Sequence, residues 1–461
     1  MQAIGIDIGT TTVSLVMVDG HSGEVLGSRT IPHRSFLKGR TSASRIQDPE
    51  KIRQVVLEGL SDLQAKCGRP DSIGLTGQMH GMLYIDRQGD AVSPLYTWQD
   101  LCGNELLSEG RTCAEILKEL TGSAAAGYGL TTHYYLMRKR ALPDDAAGMV
   151  TISDYIGMKL CGRRDPYIAR DMAASWGCFD LEIGDFCRDE LEELDMDLSM
   201  LPRILPGHEI IGSTAGGLRS GIPVSASLGD NQASVLGSVR SLTDTVLLNI
   251  GTGSQISFTS DRYVDAEGAI ELRPCTEGVF LMAGSSLCGG RAYAMLEEFY
   301  RNVAGNEDEE DLYDAMEQQA MAFMDNYGRE AAWKIRTTFA GTRSHPRERG
   351  MITGIGVENF HPGAMTLGML QGILEELLDM YREMCRLTGK RAEFLVGAGN
   401  GIRKNHLLRI LAEELFRMPL LVPVCREEAA YGAAIQSLAS AGFVSGIGQL
   451  QQKIRYEEET R

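Results

Sequence analysis

The sequence predicts a protein of mixed α and β structure built from two domains of related topology. Residues 3–19 alternate on both sides of Gly9-Thr10-Thr11, a pattern typical of strand, tight turn and strand. The same pattern returns at residues 246–260, with Ile250-Gly251-Thr252 at the turn. Two similar hairpins half a chain apart indicate an internal duplication, so we expect the second domain to repeat the first.

A third observation, at residues 222–238, completes the prediction of an α/β fold. Residues 222–228 are mostly apolar or small and suit a buried strand, which Gly229 should break, and Asp230 lies where a helix would begin. Open α/β sheets bind ligands at the carboxyl ends of their strands, and a helix N-terminus favours an ionised carboxylate. Asp230 is therefore a candidate proton acceptor, and the alternative is that it only caps its helix.

The two glycine-threonine turns are candidate phosphate sites. Each turn brings backbone N–H groups and hydroxyl groups together in a small concavity that suits phosphate oxygens. Asp7, just before the first turn, could hold Mg²⁺ directly or through water, and Asn249 falls opposite it in the second hairpin. The alternative is a plain hairpin turn beside an exposed aspartate. The turn residues concerned are Thr10, Thr11, Gly251 and Thr252.

Two segments of the first half carry residues suited to a polyhydroxy ligand. Gln78-Met79-His80 lies in a glycine-flanked loop after a predicted strand at residues 72–76. Residues 96–100 place Trp98 beside Asp100, an aromatic surface next to polar groups. The open alternative for Trp98 is a place in the core.

Glycine-rich turns in the second half precede predicted helices. Gly290 ends a turn before a helix expected from Arg291, and residues 397–401 lie between a strand and a helix expected from about Arg403. A glycine-rich loop between a strand and a helix is a common position for a nucleotide.

Composition limits the classes of partner. The 461 residues suffice for two or three domains, and we place the domain boundary between residues 1–238 and 239–461. The net charge of −17 argues against nucleic acid or an anionic membrane as the main partner. None of the ten cysteines shows CxxC spacing, so we expect reduced thiols. No apolar run reaches the length of a membrane span, and together these features predict a cytoplasmic protein.

The ordered motifs GIDIGTTT, LNIGTGSQ, VGAGNGIRKNHLL and EEAAYGAA resemble those of the FGGY family of carbohydrate kinases. The resemblance covers essentially the whole chain. It implies the actin/hexokinase/Hsp70-like ATPase fold, with duplicated ribonuclease H-like domains and a central cleft. It also implies ATP and Mg²⁺ as cofactors and a small sugar as the substrate, with a homodimer left open.

Within the family, further segments indicate the sugar. GQMHGMLY, LYTWQD, AASWGCFD, SLGDNQASVLGS and TDTVLLNI are similar to segments of the members that phosphorylate sedoheptulose, a seven-carbon ketose. The expected reaction is transfer of the γ-phosphoryl group of ATP to a terminal hydroxyl of this ketose. The alternatives are xylulose, ribulose or a polyol as substrate, and a non-catalytic sugar or nucleotide sensor on the same fold.

The resemblance also implies residue roles. Asp230 matches the catalytic base and Asp7 the residue associated with Mg²⁺. One position departs from the family pattern, because Ser14 stands where members usually carry Lys or Arg. We expect either a lower turnover rate or compensation for the missing charge by another group such as Arg343 or Mg²⁺. The sugar-binding candidates are Gln78, Met79, His80, Trp98, Asp100 and Asn231. The phosphate- and nucleotide-binding candidates are Thr10, Thr11, Gly251, Thr252, Gly290, Gly399, Asn400 and Asn405.

Overall fold

The fold is known from a computed structural model. It describes residues 1–39, 41–107, 110–216, 220–266, 268–276, 278–305, 311–342, 345 and 347–457. Arg343 lies outside these ranges, so its predicted compensating role stays a prediction.

The strands run through both halves of the chain. They are β1 (Gln2–Ile8), β2 (Thr12–Asp19), β3 (Val25–Pro32), β4 (Ile46–Gln47), β5 (Ser72–Gly77), β6 (Leu83–Ile85), β7 (Leu95–Tyr96), β8 (Gly148–Val150), β9 (Tyr167–Ala169), β10 (Phe179–Asp180), β11 (Asp185–Phe186), β12 (Arg203–Leu205), β13 (Ile210–Ser213), β14 (Pro223–Ser225), β15 (Leu228–Gly229), β16 (Thr245–Ile250), β17 (Ser254–Ser260), β18 (Ile270–Pro274), β19 (Phe280–Ser286), β20 (Lys334–Arg336), β21 (Met351–Thr353), β22 (Phe394–Ala398) and β23 (Leu420–Leu421).

The α-helices are interspersed with these strands. They are α1 (Pro49–Cys67), α2 (Cys113–Thr121), α3 (Gly129–Arg138), α4 (Ile152–Cys161), α5 (Arg170–Ala174), α6 (Arg188–Glu193), α7 (Asp230–Ser238), α8 (Gly289–Ala304), α9 (Tyr313–Tyr327), α10 (Pro362–Thr388), α11 (Gly399–Lys404), α12 (His406–Phe416), α13 (Glu428–Ser440) and α14 (Gly448–Gln451).

The described chain divides into two compact units. The first comprises Met1–Arg240, Arg273–Val279 and Glu427–Arg455, and the second comprises Ser241–Leu272, Phe280–Arg426 and Tyr456–Arg461, within the described ranges. Two segments from the second half of the chain thus belong to the first unit, although the sequence analysis placed everything after residue 238 in the second domain. One of them contains α13, which packs against β1, β5 and α7.

The main sheet of the first unit has the strand order β13-β14-β5-β1-β2-β3, and β15 also pairs with β5. β1 is antiparallel to β2 and parallel to β5, and β2 is antiparallel to β3. Both faces of this sheet are covered, so β1 and β2 form nearly continuous apolar runs. The residues of β1, β2 and β5 join those of α1 and α4 in one core.

The main sheet of the second unit repeats this arrangement, with the order β18-β19-β17-β16-β22-β23. β16 is antiparallel to β17 and parallel to β22, and β17 is antiparallel to β19. The long amphipathic helix α10 lines the core on which this sheet packs. The predicted relation between the two halves is therefore present in their strand order and strand direction.

Several element boundaries differ from the prediction. The expected strand at residues 222–228 is two short strands, β14 and β15, and Gly229 is the last residue of β15 instead of its breaker. Gly229 pairs with Gly77 of β5, so the sheet continues up to Asp230. The helices expected from Arg291 and Arg403 begin earlier, at Gly289 and Gly399. Glycine has low helix propensity, which is why the pattern alone predicted later starts.

None of the helices in the described ranges combines the length and the apolar character needed to cross a membrane. No disulfide joins any of the cysteines in this part of the chain.

Candidate active site

Asp230 is held at the junction of a strand and a helix in the first unit. β15 ends at Gly229, and Asp230 is the first residue of α7. The buried carboxylate of Asp171 fixes this turn, because its Oδ2 accepts a hydrogen bond from the Gly229 N–H at 2.8 Å. Oδ1 of Asp171 lies 3.1 Å from Nε2 of His208. Asp230 itself is partly exposed and can therefore meet a ligand.

The electrostatic surroundings of Asp230 act in opposite directions. Burial raises the pKa of its carboxyl above the ordinary value, while the positive charge of Arg273 and the backbone N–H of Asn231 lower it. That N–H donates to Oδ1 of Asp230 at 2.7 Å. The cation and the N–H favour the ionised carboxylate, which is the form that can accept a proton.

Asp7 has the properties expected of a cation ligand. Burial, followed by the negative charges of Asp230 and Glu427, raises the pKa of Asp7 to about 7. Its Oδ1 is buried, and no hydrogen-bond partner for it exists in the described part of the chain. A divalent cation would satisfy this oxygen and keep the carboxyl ionised. Among described residues no three acidic, His or Cys side chains form a metal-binding group, so phosphate and water would have to complete the coordination of Mg²⁺.

Ser14, which stands where family members usually carry Lys or Arg, is part of a row of hydrogen-bonded side chains that ends at Glu427. Ser14 lies opposite Asp7 in the β1–β2 pair and opposite Thr30 in the β2–β3 pair. Its Oγ is 3.1 Å from Oγ1 of Thr30, which donates to Oε1 of Glu427 at 2.9 Å. Because Glu427 adds negative charge near Asp7, this row supplies no substitute for the missing cation.

The loop that carries His80 is strained and tightly anchored. His80 has a φ of 73°, in the left-handed region that non-glycine residues rarely adopt. Its backbone N–H donates to Oγ of Ser175 at 3.1 Å, and its Nδ1 lies 2.6 Å from the Ser175 carbonyl oxygen. Because a carbonyl oxygen only accepts hydrogen bonds, Nδ1 must carry a proton. In the neutral ring Nε2 is then the acceptor nitrogen. The ring stacks on Tyr128 with 4.4 Å between centroids.

Gln78 and Trp98 both connect to the first glycine-threonine turn. Nε2 of Gln78 donates to Oε1 of Gln47. Nε2 of Gln47 in turn donates to the Thr10 carbonyl oxygen at 2.7 Å. Nε1 of Trp98 donates to Oγ1 of Thr10 at 3.0 Å. Trp98 is 45% exposed, so the alternative place in the core is wrong. Thr11 is exposed at the tip of this turn.

Asp100 has a local structural role in this unit. One of its oxygens accepts from the Arg45 N–H at 2.9 Å and the other from the Cys102 N–H at 3.0 Å. The side chain is buried, and both oxygens already hold the loop together. Its predicted contact with the sugar stays a prediction, and the hydrogen bonds provide another reason for an acid at this position.

In the second unit, the second glycine-threonine turn contacts the N-terminus of α8. The Gly290 N–H donates to the Gly251 carbonyl at 3.1 Å, and the Arg291 N–H donates to the Thr252 carbonyl at 2.9 Å. A Cβ on Gly290 would overlap the Gly251 carbonyl, so only glycine allows this approach. Thr252 remains exposed at the tip of the turn.

The predicted adenosine residues lie near this turn, at the end of β22. Gly399 follows directly, and a Cβ there would overlap the Ile250 carbonyl and Oδ1 of Asn249. Asn400 is exposed on the first turn of α11. Asn405 is mostly buried and caps α12, with its Oδ1 accepting from the Leu408 N–H at 2.7 Å. The second unit thus brings Gly251, Gly290 and Gly399 together, while Asn405 stabilises a helix.

Sequence reasoning missed several residues of the first-unit site. Tyr128 stacks on His80, and Asp171 fixes the turn before Asp230. Arg273 and Glu427 belong to the second half of the chain, yet both influence the pKa of acids in the first unit. A charged residue in an otherwise strand-like segment, as in Glu-Leu-Arg-Pro at residues 271–274, is the signal that could have pointed to Arg273.

Comparison with protein families identifies the chain. The model of the FGGY family of carbohydrate kinases, N-terminal domain, matches residues 2–237, and the C-terminal domain model of the same family matches residues 246–441. The chain belongs to the FGGY family of carbohydrate kinases. It is therefore a sugar phosphotransferase, as the resemblance of its motifs predicted.

Two relatives of this FGGY kinase span nearly its whole length, and a third spans 58% of it. A sedoheptulokinase from Homo sapiens is 28% identical, with 98% of this chain and 98% of that protein covered. A sedoheptulokinase from Mus musculus is 29% identical, with 94% of this chain and 97% of that protein covered. A xylulose kinase from Streptomyces rubiginosus is 26% identical over 58% of this chain and 56% of its own length.

Solved structures confirm the predicted two-domain actin/hexokinase-like fold. A xylulose kinase from Rhodospirillum rubrum superposes with a TM-score of 0.84 at 20% identity, covering 99% of this chain and 93% of that one. A Plasmodium falciparum glycerol kinase with ADP superposes with a TM-score of 0.80 at 17% identity, covering 98% of this chain and 93% of that one.

Proposed function

We propose that this FGGY kinase transfers the γ-phosphoryl group of ATP to a terminal hydroxyl of a ketose, with sedoheptulose as the substrate and sedoheptulose 7-phosphate as the product. The observation that carries the proposal is the partly exposed Asp230, on a strand-to-helix turn fixed by Asp171 and beside the positive charge of Arg273. The similarity to two sedoheptulokinases over nearly the full chain supports the choice of sugar.

In the proposed reaction, Asp230 accepts the proton of the sugar hydroxyl while the hydroxyl oxygen attacks the γ-phosphorus. The bond from that phosphorus to the β–γ bridging oxygen breaks, and ADP leaves. The sugar lies against Gln78, Met79, His80, Trp98 and Asn231. A bound Mg²⁺ would neutralise phosphate charge, and the Asp7 carboxylate is the protein group that would hold it.

The nucleotide is proposed to bind in the second unit. The hairpin turn with Gly251 and Thr252 has exposed hydroxyl and backbone groups for the phosphates. Gly290 lies at the beginning of α8, whose N-terminus favours negative charge. Gly399 and Asn400 provide an open glycine-rich loop at the end of β22 for the adenosine.

A panel of sugars tests this function. ADP release is measured with ATP, Mg²⁺ and each of sedoheptulose, xylulose, ribulose, glycerol and a polyol series. We expect the highest kcat/KM with sedoheptulose, because the segments AASWG and TWQD resemble those of members that use it, whereas the loop with His80 is shared with xylulokinases. A higher kcat/KM for xylulose would replace the substrate but keep the reaction. Sugar-dependent thermal stabilisation without ADP release from any sugar would favour a sensor instead.

A further inference from the structure

A short segment of the first unit contacts both loops of the proposed site. It consists of α5 and the two residues that follow it, 170–176, and we call it the support segment. Near its start, the buried Asp171 accepts the hydrogen bond from the Gly229 N–H, directly before the proposed base. At its end, Oγ of the buried Ser175 accepts a hydrogen bond from the His80 N–H at 3.1 Å. The support segment therefore bonds both the turn of the base and the loop proposed to bind the sugar.

The backbone before the proposed base is held at three successive residues. Each of them bonds a buried side chain, and the three side chains belong to three different elements, α4, β5 and α5. The pairs are Ser227 Oγ with Asp154 Oδ1 at 2.5 Å, the Leu228 carbonyl with Thr76 Oγ1 at 3.0 Å, and the Gly229 N–H with Asp171 Oδ2 at 2.8 Å. A buried polar group that loses its partner costs free energy, so these bonds favour a single position of the turn.

Asp171 is itself held by a second buried side chain. Its Oδ1 lies 3.1 Å from Nε2 of His208, and the two side chains are only 1% and 6% exposed. The His208 carbonyl accepts a hydrogen bond from Oγ of Ser440 on α13. α13 packs against β1, β5 and α7. The Asp171 carboxylate is therefore tied to the body of the unit and can hold the turn in place.

The loop with His80 depends on the support segment because its backbone is strained. A φ of 73° at a histidine is unfavourable and persists only where surrounding contacts hold it. Besides the bond from the His80 N–H, the Ser175 carbonyl lies 2.6 Å from Nδ1 of the ring, and Nε1 of Trp176 donates to the Gly81 carbonyl at 3.2 Å. Oγ of Ser175 is oriented as well, since it donates to the Met172 carbonyl at 2.7 Å. The strained loop thus has three bonds to one end of the support segment.

The loop and the turn of the base also contact each other. Sδ of Met79 lies 3.8 Å from Nδ2 of Asn231. A Cβ on Gly229 would lie 2.7 Å from the same sulfur, closer than real Cβ atoms approach another atom. The loop therefore packs directly on the turn, and a shift of the support segment would displace both.

We propose that the support segment fixes the position of Asp230 relative to His80, with Asp171 as the positioning residue of the base and Ser175 as the positioning residue of the sugar-binding loop. This inference rests on the proposed function. The reacting groups must be aligned closely, and a misplacement of about 1 Å can cost about 10²-fold in rate. Changes at the Asp171 end should therefore act mainly on kcat, and changes at the Ser175 end mainly on KM for the sugar.

Substitution of Asp171 tests the end that bonds the base. Asp171→Ala leaves the Gly229 N–H without its acceptor, so the turn should shift and kcat should fall about 10–100-fold. KM for ATP should stay nearly the same, because the proposed nucleotide site lies in the second unit. Asp171→Asn keeps an oxygen that can accept the same N–H, so it should restore most of the lost kcat. A kcat as low in Asp171→Asn as in Asp171→Ala would overturn this role.

Substitution of Ser175 tests the other end. Ser175→Ala removes the acceptor of the His80 N–H, so the strained loop should relax and KM for the sugar should rise about tenfold. The loss of kcat should be smaller than in Asp171→Ala. A lower kcat with an unchanged KM for the sugar would overturn the assignment of Ser175.

A double substitution separates positioning from a general structural role. A residue that acts through Asp230 loses its effect on turnover once the base itself is changed. Asp171→Ala combined with Asp230→Asn should therefore keep the residual kcat of Asp230→Asn alone, measured over long reaction times. A further fall as large as the one that Asp171→Ala causes in the wild type would overturn the positioning role.

A matched variant controls for the loss of an acid that bonds the backbone. Asp86 of the same unit accepts from the N–H groups of Gln88 and Asp90 at 2.9 and 2.8 Å, both within its own turn. Asp86→Ala should leave kcat and both KM values unchanged. Thermal unfolding identifies any variant that fails to fold. If Asp171→Ala fails, His208→Ala replaces it in both backgrounds, with a smaller expected loss of kcat, because it loosens the same carboxylate but leaves its bond to Gly229.

Hydrogen exchange of the backbone amides, followed by mass spectrometry, separates this inference from the proposed function. Because the support segment bonds both loops, Asp171→Ala and Ser175→Ala should each speed exchange in residues 78–81 and also in residues 228–231. Faster exchange only in the loop next to the substituted residue would overturn the inference while the kinase activity stands. If the wild type phosphorylates no sugar, the proposed function fails, and the exchange pattern still decides whether the segment supports both loops.

Discussion

The two glycine-threonine hairpins share a backbone arrangement and differ in charge. β1 and β16 both have an antiparallel partner that follows the turn and a parallel partner on the other side. Asp7 of the first hairpin pairs with Ser14 and Thr76, whereas Asn249 of the second pairs with Gln255 and Ala398. One repeat thus carries an acid and the other a neutral amide. We infer that this one side chain separates the proposed roles of the two hairpins, because only a carboxylate carries a charge that can hold Mg²⁺.

The two turns also differ in the groups that hold them. Side chains anchor the first turn, since Gln47 and Trp98 bond Thr10. Backbone amides of α8 anchor the second turn through Gly251 and Thr252. Side-chain anchors can adapt to a particular substrate, whereas a helix N-terminus offers a fixed preference for anions. The contrast is consistent with the proposal that the first unit binds the sugar and accepts the proton, and that the second unit binds the nucleotide.

The largest effect should come from removing the acid at the strand-to-helix turn between β15 and α7. Asp230→Asn keeps the shape of the side chain but cannot accept the proton, so kcat should fall about 10²–10⁴-fold. Sugar binding, measured by calorimetry, and thermal stability should persist. Near-normal turnover in this variant would show that Asp230 is not the catalytic base, and the proposed difference between the two units would then fail.

Exchanging the residue that distinguishes the hairpins should give the next largest effect. Asp7→Asn makes the first hairpin like the second, so kcat should fall and the activity should lose its saturable response to Mg²⁺. Asn249→Asp, the reverse exchange, is the matched control, and it should not create a second Mg²⁺ response. Equal Mg²⁺ dependence of the wild type and Asp7→Asn would contradict the assignment of Asp7.

Asp7 also predicts a pH dependence of stability without Mg²⁺. Its folded pKa of about 7 lies above the ordinary value of 3.8, so the ionised carboxyl is less favourable in the folded protein. The free energy of unfolding should therefore fall as the pH rises from about 4 to about 7 and then level off. Asp7→Asn should lack this contribution, which denaturant unfolding at several pH values measures. A fall in the variant as steep as that in the wild type would contradict the raised pKa.

A smaller effect is expected from closing the gap between the second turn and its helix. The Cβ of Gly290→Ala would overlap the Gly251 carbonyl, so the turn must shift and KM for ATP should rise about tenfold. KM for the sugar should change less, because its proposed site lies in the other unit. Gly446→Ala, at a position with open space around it, is the control. Equal increases in the two KM values would argue against a nucleotide-specific turn.

The smallest effect should come from restoring a basic residue at position 14. Ser14→Lys places a cation beside Asp7 and Glu427, which should lower the pKa of Asp7 and raise kcat a few-fold at pH 6. Ser14 is buried, so the larger side chain also costs stability, about 1–3 kcal/mol. Ser14→Met has a similar length without the charge and separates the two effects. If both variants change kcat alike, the missing charge does not limit turnover.

Local patterns predicted most of the elements that hold the site. The two hairpins and the start of α7 at Asp230 follow from alternation and glycine positions, both of which are properties of neighbouring residues. The effect of Arg273 on Asp230 could not be predicted in this way, because it depends on a segment of the second half of the chain that belongs to the first unit. The position of α13 late in the chain likewise predicted that it belongs to the second domain, whereas it packs against β1, β5 and α7 of the first unit.

The local hydrogen bonds of two predicted site residues were likewise hidden in the sequence. Asp100 bonds the backbone of Arg45 and Cys102, and Asn405 caps α12. Acids and amides are common both at caps and at binding sites, so residue type alone does not separate the roles. The row from Ser14 through Thr30 to Glu427 depends on strand register and on the position of α13, neither of which a motif contains.

The most direct test of the central claim is ³¹P NMR of the reaction of the wild type and of Asp230→Asn with ATP, Mg²⁺ and sedoheptulose. We expect one new phosphomonoester signal from the wild type, coupled to the two protons of a terminal carbon, and no such signal from the variant within the reaction time of the wild type. The same ester from both proteins, or only inorganic phosphate from the wild type, would contradict it.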